Sequence, residues 1–157
     1  MNKIIVIGCP GSGKSTISKR MGQKLDIPVH DLDEYQTLSK EDFIKAQNSL
    51  MEAEKWILDG NFVKSIGNRI VKAETVIFLD FPKRVVCYRF LKRSIEDFKK
   101  ERSELGKNYW NEKWGVFKYI WNFPRAEIYR IIEKHTEKQR VVILHNSVEA
   151  DEFLLSL

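Results

Sequence analysis

Two cysteines, Cys9 and Cys87, are all that the 157 residues contain, too few for a disulfide framework or a four-cysteine zinc site. The three histidines, His30, His135 and His145, are scattered and do not suggest a transition-metal site. No apolar run approaches the roughly 20 residues that a bilayer span needs. The stretch from Ile4 to Ile7 is also shorter than the about 7–15 apolar residues of a signal peptide, so a cytoplasmic location is the expectation. Internal repeats, low-complexity tracts and linkers are missing too, which points to one domain over residues 1–157. What remains is an ordinary globular composition, 43% apolar and 31% charged, in a chain long enough for a single sizeable core.

The net charge of +5 is unevenly spread. Residues 1–82 carry 11 bases and 11 acids, which cancel, whereas residues 83–140 carry 16 bases against 8 acids. The tail from Val141 holds three acids and no base. The positive segment should therefore face something anionic.

Hydrophobic patterning alternates between short apolar runs and helical stripes. Strands are expected at Lys3–Ile7, Pro28–His30, Trp56–Leu58, Thr75–Leu79 and Val141–Leu144. Between them, Ile17, Met21 and Leu25 mark a helix over Lys14–Leu25. Ser39 with Asp42 resembles a capping box before Phe43, Ala46, Leu50 and Met51. Phe62–Lys72 reads as a helix, and Pro82 opens a long basic one. After a polar stretch from Lys99 to Asn111, an apolar stripe through Phe117, Ile120, Trp121, Ile128, Ile131 and Ile132 predicts a helix kinked or split at Pro124. Val148–Leu155 closes the chain as a helix. Strands that are apolar on both faces imply a parallel sheet covered by helices on both sides, an α/β fold. An insertion near residues 94–124 separates the fourth and fifth strands.

Gly8-Cys9-Pro10-Gly11-Ser12-Gly13-Lys14-Ser15, followed by Thr16, fits G-x-x-x-x-G-K-[ST] between an expected strand and helix. Glycines let backbone N–H groups turn inward around phosphate oxygens, and the helix adds its positive dipole end. Lys14 reaches β- and γ-phosphates, and Ser15 can set its hydroxyl on Mg²⁺. A second oxygen ligand for Mg²⁺ is sought among acids that end strands: Asp31 or Asp33, Asp59 and Asp80. Asp59 is favoured because Ile57-Leu58-Asp59-Gly60 ends a buried strand with a close-approach glycine; Asp80 reads equally as part of the turn into the next helix. ATP with Mg²⁺ is thus the expected cofactor pair. Cys9 lies inside the cradle, so ATP is expected to protect it from thiol reagents.

These motifs, together with His30-Asp31-Leu32-Asp33, Trp56–Asn61, Val76–Pro82 and Trp121–Arg125, resemble the adenylate-kinase-like group of small P-loop kinases, nearest to its FlaR-like branch, labelled "topology modulation protein". The resemblance implies a five-stranded sheet of order 2-3-1-4-5 and a lid after Arg93. It also implies that Arg89 and Arg93, four residues apart on one helical face, divide two tasks, stacking on adenine and meeting phosphates. A lid arginine would stabilise the transferring phosphoryl, with Arg125 and Arg130 as candidates and Arg102 a weaker one. Adenylate kinases place arginines after the second strand and after Asp-Gly-Phe-Pro to hold the AMP phosphate. Here Asp33-Glu34-Tyr35 and Asn61-Phe62 stand instead, and Arg69 is a partial substitute at best. The Asp31-x-Asp33 pair looks more like shikimate- or gluconate-type kinases, with Asp33 binding an acceptor hydroxyl or else capping the next helix.

The favoured reading is γ-phosphoryl transfer from Mg-ATP to a small acceptor, either a nucleotide or a hydroxylated metabolite, with Lys14, Arg89, Arg93, Arg125 and Asp33 as catalytic residues. The alternatives are an ATP-dependent nucleic-acid-binding protein and a nucleotide-sensing switch. Tyr109, Trp110, Trp114, Tyr119 and Trp121 interleave with bases as in single-strand binders, but Trp121, beside Phe117 and Ile120, is expected in the core. Nucleic acid is therefore the less favoured partner.

Overall fold

A computed structural model describes residues 1–35, 37–100 and 108–157. Its elements run β1 (Lys3–Gly8), α1 (Lys14–Leu25), β2 (Val29–Asp31), a 3₁₀ turn (Leu32–Tyr35), α2 (Lys40–Leu50), β3 (Trp56–Asp59), α3 (Val63–Lys72), β4 (Thr75–Leu79), α4 (Lys83–Lys100), α5 (Tyr109–Trp121), α6 (Arg125–His135), β5 (Arg140–Leu144) and α7 (Ser147–Ser156). The strands form one sheet in the order β2-β3-β1-β4-β5, every pair parallel. This is the expected α/β architecture.

The order follows from burial. Ile4–Gly8, Trp56–Asp59 and all of β4 are buried residue after residue, as strands must be when both sheet faces are covered. β5 is an edge strand, exposed at Arg140 and Val141. α1 packs against α7, and α3 against α6. α2 begins where the sequence says: Ser39 caps it, its hydroxyl accepting the Asp42 N–H at 3.1 Å. With every strand running the same way, the strand C-termini and the loops that follow them gather at one end of the sheet, where open α/β folds bind ligands.

The main differences from expectation fall on either side of the segment 101–107. Helix resumes at Tyr109, so the last three residues of the stretch expected to be irregular are helical, and Pro124 divides α5 from α6. Trp121 is not in the core but 51% exposed. α5 buries only a narrow stripe, with Tyr109 and Ile120 inside, so Trp121 is left to stack on Phe117 at the surface, ring centroids 6.4 Å apart. Tyr109 donates its hydroxyl to the Ser94 carbonyl at 2.8 Å, tying α5 to α4. Arg102 lies outside the described residues. Among the described residues no helix is long and apolar enough to cross a membrane.

Candidate active site

The link between β1 and α1 is a cradle built for an anion. Ser12 N–H closes it on the Cys9 carbonyl at 3.0 Å. Gly13 has φ +96°, and a Cβ placed there would meet nothing within 4 Å. Its backbone angle therefore demands glycine while the space before it stays open. No side chain caps α1, so its first-turn N–H groups and positive dipole end are left for a ligand. Gly11, Gly13, Lys14, Ser15 and Thr16 line a cleft of about 290 Å³ with Arg89, Phe90 and Arg93 from α4. The expected cradle and both expected α4 arginines thus meet in one place. Behind them, Gly8 is braced by its N–H, which donates to Asn61 Oδ1 at 3.1 Å. Pro10 is half-buried at the outer turn, and Ser12 Oγ is buried without a partner.

Asp59 ends β3 beside this cradle. It is buried, yet neither carboxylate oxygen has a hydrogen-bond partner. Burial pushes its carboxyl up to about 6, against the pull of the Lys14 ammonium and the Ser15 hydroxyl. An orphaned carboxylate next to a serine hydroxyl and a phosphate cradle is the hard-oxygen chemistry that Mg²⁺ takes. Ser15 and Asp59 fit as its protein ligands, or as anchors for its waters. Gly60 follows with φ +145°, and a Cβ there would lie 2.8 Å from the Leu32 Cβ. Glycine is what lets the Asp59 loop pack against the 3₁₀ turn.

Asp80, at the end of β4, is the opposite case. Arg125 pairs with Oδ1 at 3.2 Å, and Tyr129 donates to Oδ2 at 2.8 Å. Arg125 also donates to the Phe81 carbonyl. Asp80 is therefore a brace between β4 and α6 rather than a free ligand. Arg125 is held at this brace and does not line the phosphate cleft. Arg130 is exposed on the same helix. Arg89 is anchored by its own contacts: it donates to Ser147 Oγ at 2.6 Å and lies 5.1 Å over the Phe81 ring. Ser147 and Phe81 are positioning partners that the sequence pattern did not single out.

On the other side of the cradle, Asp33 is exposed on the 3₁₀ turn. Burial is the main cause that raises Asp59 and Tyr119, and the Asp33 charge adds to it at both. Asp33 does not cap the next helix, because Ser39 does; Asp31 Oδ1 accepts the Asp33 N–H at 2.9 Å instead. One expectation is corrected here. Arg69 is fully buried and donates to the carbonyls of Gly60, Asn61 and Phe62 at 2.7, 2.8 and 3.3 Å. Its fork holds the loop after Asp59 in shape and has no room for a substrate phosphate. Cys9 is 2% exposed, and burial pushes its thiol up to about 12, so slow reaction with thiol reagents is expected with or without ATP.

No protein-family model matches the chain. Over 96 residues, 61% of its length, the chain is 28% identical to a gluconokinase of Arabidopsis thaliana, across 51% of that protein. Over 31 residues, 20% of its length, it is 52% identical to a shikimate kinase of Rhodococcus jostii, across 18% of that protein. The chain thus spans about half, or less, of the length of the curated relatives it matches. Among solved structures, the shikimate kinase of Acinetobacter baumannii in complex with shikimate superposes with a TM-score of 0.58 at 13% identity, covering 99% of this chain and 90% of that one. Sheet order, cradle and superposition agree that this chain has the P-loop kinase fold.

Proposed function

We propose that this protein is an ATP-dependent phosphotransferase that moves the γ-phosphoryl of Mg-ATP to the hydroxyl of a small acceptor. The observation that carries the reading is Asp59, a buried carboxylate with no close hydrogen bond, which feels the Lys14 ammonium and the Ser15 hydroxyl of the cradle. A structural acid would be paired, as Asp80 is.

In this reading the backbone of Gly8–Thr16 and the Lys14 ammonium hold the β- and γ-phosphates. Mg²⁺, when bound through Ser15 and Asp59, neutralises charge on those phosphates. Arg89 and Arg93 grip the nucleotide from α4. Arg125 is the lid arginine, stored against Asp80, and Asp33 orients the acceptor hydroxyl and takes its proton. Such chemistry depends chiefly on positioning and electrostatics, which is what these side chains supply. The finer likeness to the FlaR-like branch rests on the sequence motifs alone, and a cytoplasmic setting belongs to the same proposal.

The test is Mg²⁺-dependent ADP formation over a panel of nucleoside monophosphates, nucleosides and hydroxylated metabolites, with Lys14→Ala as the blank. A rate jump with one acceptor, lost in Lys14→Ala, supports the reading; a rate indifferent to every acceptor rejects it.

One observation favours a second reading. Trp110, Trp114 and Trp121 are exposed on α5, and Lys118 and Lys83 lie over the Trp114 and Trp121 rings at 5.8 and 5.7 Å. Basic aromatic surfaces of this kind stack on single-stranded nucleic acid. A salt-sensitive shift of labelled single-stranded DNA, lost in Trp114→Ala, would support it.

A further inference from the structure

A second cavity, of about 550 Å³, is larger than the phosphate cleft. Its walls come from the segments that leave β2 and β3: Tyr35 at the end of the 3₁₀ turn, Leu38 beyond it, Phe43 and Ile44 on α2, and Phe62 and Val63 at the start of α3. Tyr35 stands two residues beyond Asp33, and Phe62 three beyond Asp59, so two of the segments that wall the cavity lead directly from the acids that the phosphotransferase reading uses. Phe43 and Phe62 form a tilted ring pair with centroids 4.3 Å apart. The polar groups among the described lining residues are Lys40, Ser65, Asn68 and the Tyr35 hydroxyl. Ser65 is occupied, its hydroxyl donating to the buried Gln47 Oε1 at 3.0 Å. Asn68 is exposed and offers an amide with both a donor and an acceptor.

The charges nearby are equally informative. A kinase that recognises a carboxylate or phosphate on its acceptor needs a free, rigid cation, and arginine suits that task best. Arg69 spends its fork on three loop carbonyls, and Arg125 is paired with Asp80. Among the described lining residues, Lys40 is the single cation, and it sits on a flexible stem at the exposed start of α2. An apolar, aromatic-walled cavity with one amide suits a flat ring with hydrogen-bonding edges.

We infer that this cavity is the acceptor pocket and that the acceptor is an uncharged ring compound bearing a hydroxyl, of nucleoside size and chemistry, rather than a hydroxy acid or a nucleotide. The inference rests on the phosphotransferase reading above. In the transfer, the acceptor hydroxyl oxygen bonds to the γ-phosphorus while the bond from that phosphorus to the β–γ bridging oxygen breaks. The hydroxyl proton passes to the Asp33 carboxylate, and ADP leaves with the bridging oxygen's electron pair. The ring rests among Tyr35, Phe43 and Phe62, and Asn68 reads its edge.

Calorimetric titration separates this inference from the reading beneath it. Thymidine, deoxycytidine and deoxyadenosine, and separately gluconate and shikimate, are titrated into the wild type and into Ile44→Trp. Ile44 is 38% exposed, so a larger side chain there narrows the cavity without entering the core. The expected result is saturable binding of at least one nucleoside, weakened about tenfold or more by Ile44→Trp, with ATP binding unchanged. ADP formation should show the same loss as a raised KM for the acceptor. Binding of gluconate or shikimate in preference to every nucleoside, or nucleoside binding indifferent to both Ile44→Trp and Asn68→Ala, overturns the inference. If an acid stimulates ADP formation at a site insensitive to these variants, the acceptor class is wrong and the phosphotransferase stands. Nucleoside binding that never stimulates ADP formation in the presence of Mg²⁺ removes both.

Discussion

β3 and β4 flank β1, and each ends in an aspartate, yet the two ends are built oppositely. Asp80 at the end of β4 is ion-paired with Arg125 through Oδ1 and accepts a hydrogen bond from Tyr129 on Oδ2. Asp59 at the end of β3 has no hydrogen-bond partner, is almost wholly buried, and carries a carboxyl pushed up to about 6. Folding tolerates such an acid only at a cost in stability. In the proposed reading, the difference makes β4 the structural end and β3 the end that would take a cation. The loop beyond Asp59 repeats the theme: Arg69 is buried to hold it, and Gly60 takes a backbone angle suited to glycine.

The largest way to break this contrast is Asp59→Asn. ADP formation at saturating ATP should fall by about a hundredfold or more, while the same change stabilises the protein without nucleotide. The sign follows from the raised carboxyl. In the unfolded chain it titrates near its ordinary 3.8, and in the folded one near 6. The folded state is therefore penalised as pH rises through that window and fully penalised above it. The shift alone is worth on the order of 3 kcal/mol; the buried asparagine amide has its own desolvation cost, which leaves a net gain of about 1–2 kcal/mol. Urea melts at pH 7.5 should show the variant more stable, with the gain shrinking as pH falls from 6 toward 4.

Asp80→Asn should do the reverse. Arg125 loses its partner, and stability falls by about 1–3 kcal/mol, while Mg²⁺ dependence is kept. Tyr129→Phe removes one hydrogen bond from the same brace and should lose about 1 kcal/mol in a denaturant melt. The smallest effect concerns Cys9, whose thiol feels both Lys14 and Arg125. Labelling by a thiol reagent at neutral pH should be slow in the native protein, with or without ATP, and fast after unfolding. Rapid native labelling would show that Cys9 is more accessible than its 2% exposure implies.

The cradle was legible because its chemistry is local. Glycine spacing, Lys14 and Ser15 lie within a few residues, and the strand before and helix after them are strongly patterned. The sheet was legible for a similar reason, since Ile4–Ile7 and Val76–Leu79 are apolar at consecutive positions. The pairings that give each acid its role were not. Nothing in Asp80-Phe81-Pro82 announces that Arg125, far along the chain, closes on it. Arg69 reads as an ordinary helix base until its carbonyl partners are seen. Trp121 misled because α5 packs by a narrow stripe, and periodicity cannot say how wide a stripe its surroundings will bury. The proposed acceptor cavity draws on three separate segments, and only the fold brings Tyr35, Phe43 and Phe62 together.

The most direct test of the central claim is a Mg²⁺ titration of ADP formation at saturating ATP, using an acceptor found to stimulate turnover. Wild type, Asp59→Asn and Asp80→Asn are compared. The predicted result is a half-saturating Mg²⁺ concentration raised about tenfold or more in Asp59→Asn and unchanged in Asp80→Asn. An unchanged Mg²⁺ requirement in Asp59→Asn, or a shift confined to Asp80→Asn, would contradict the assignment of β3 as the metal-facing end.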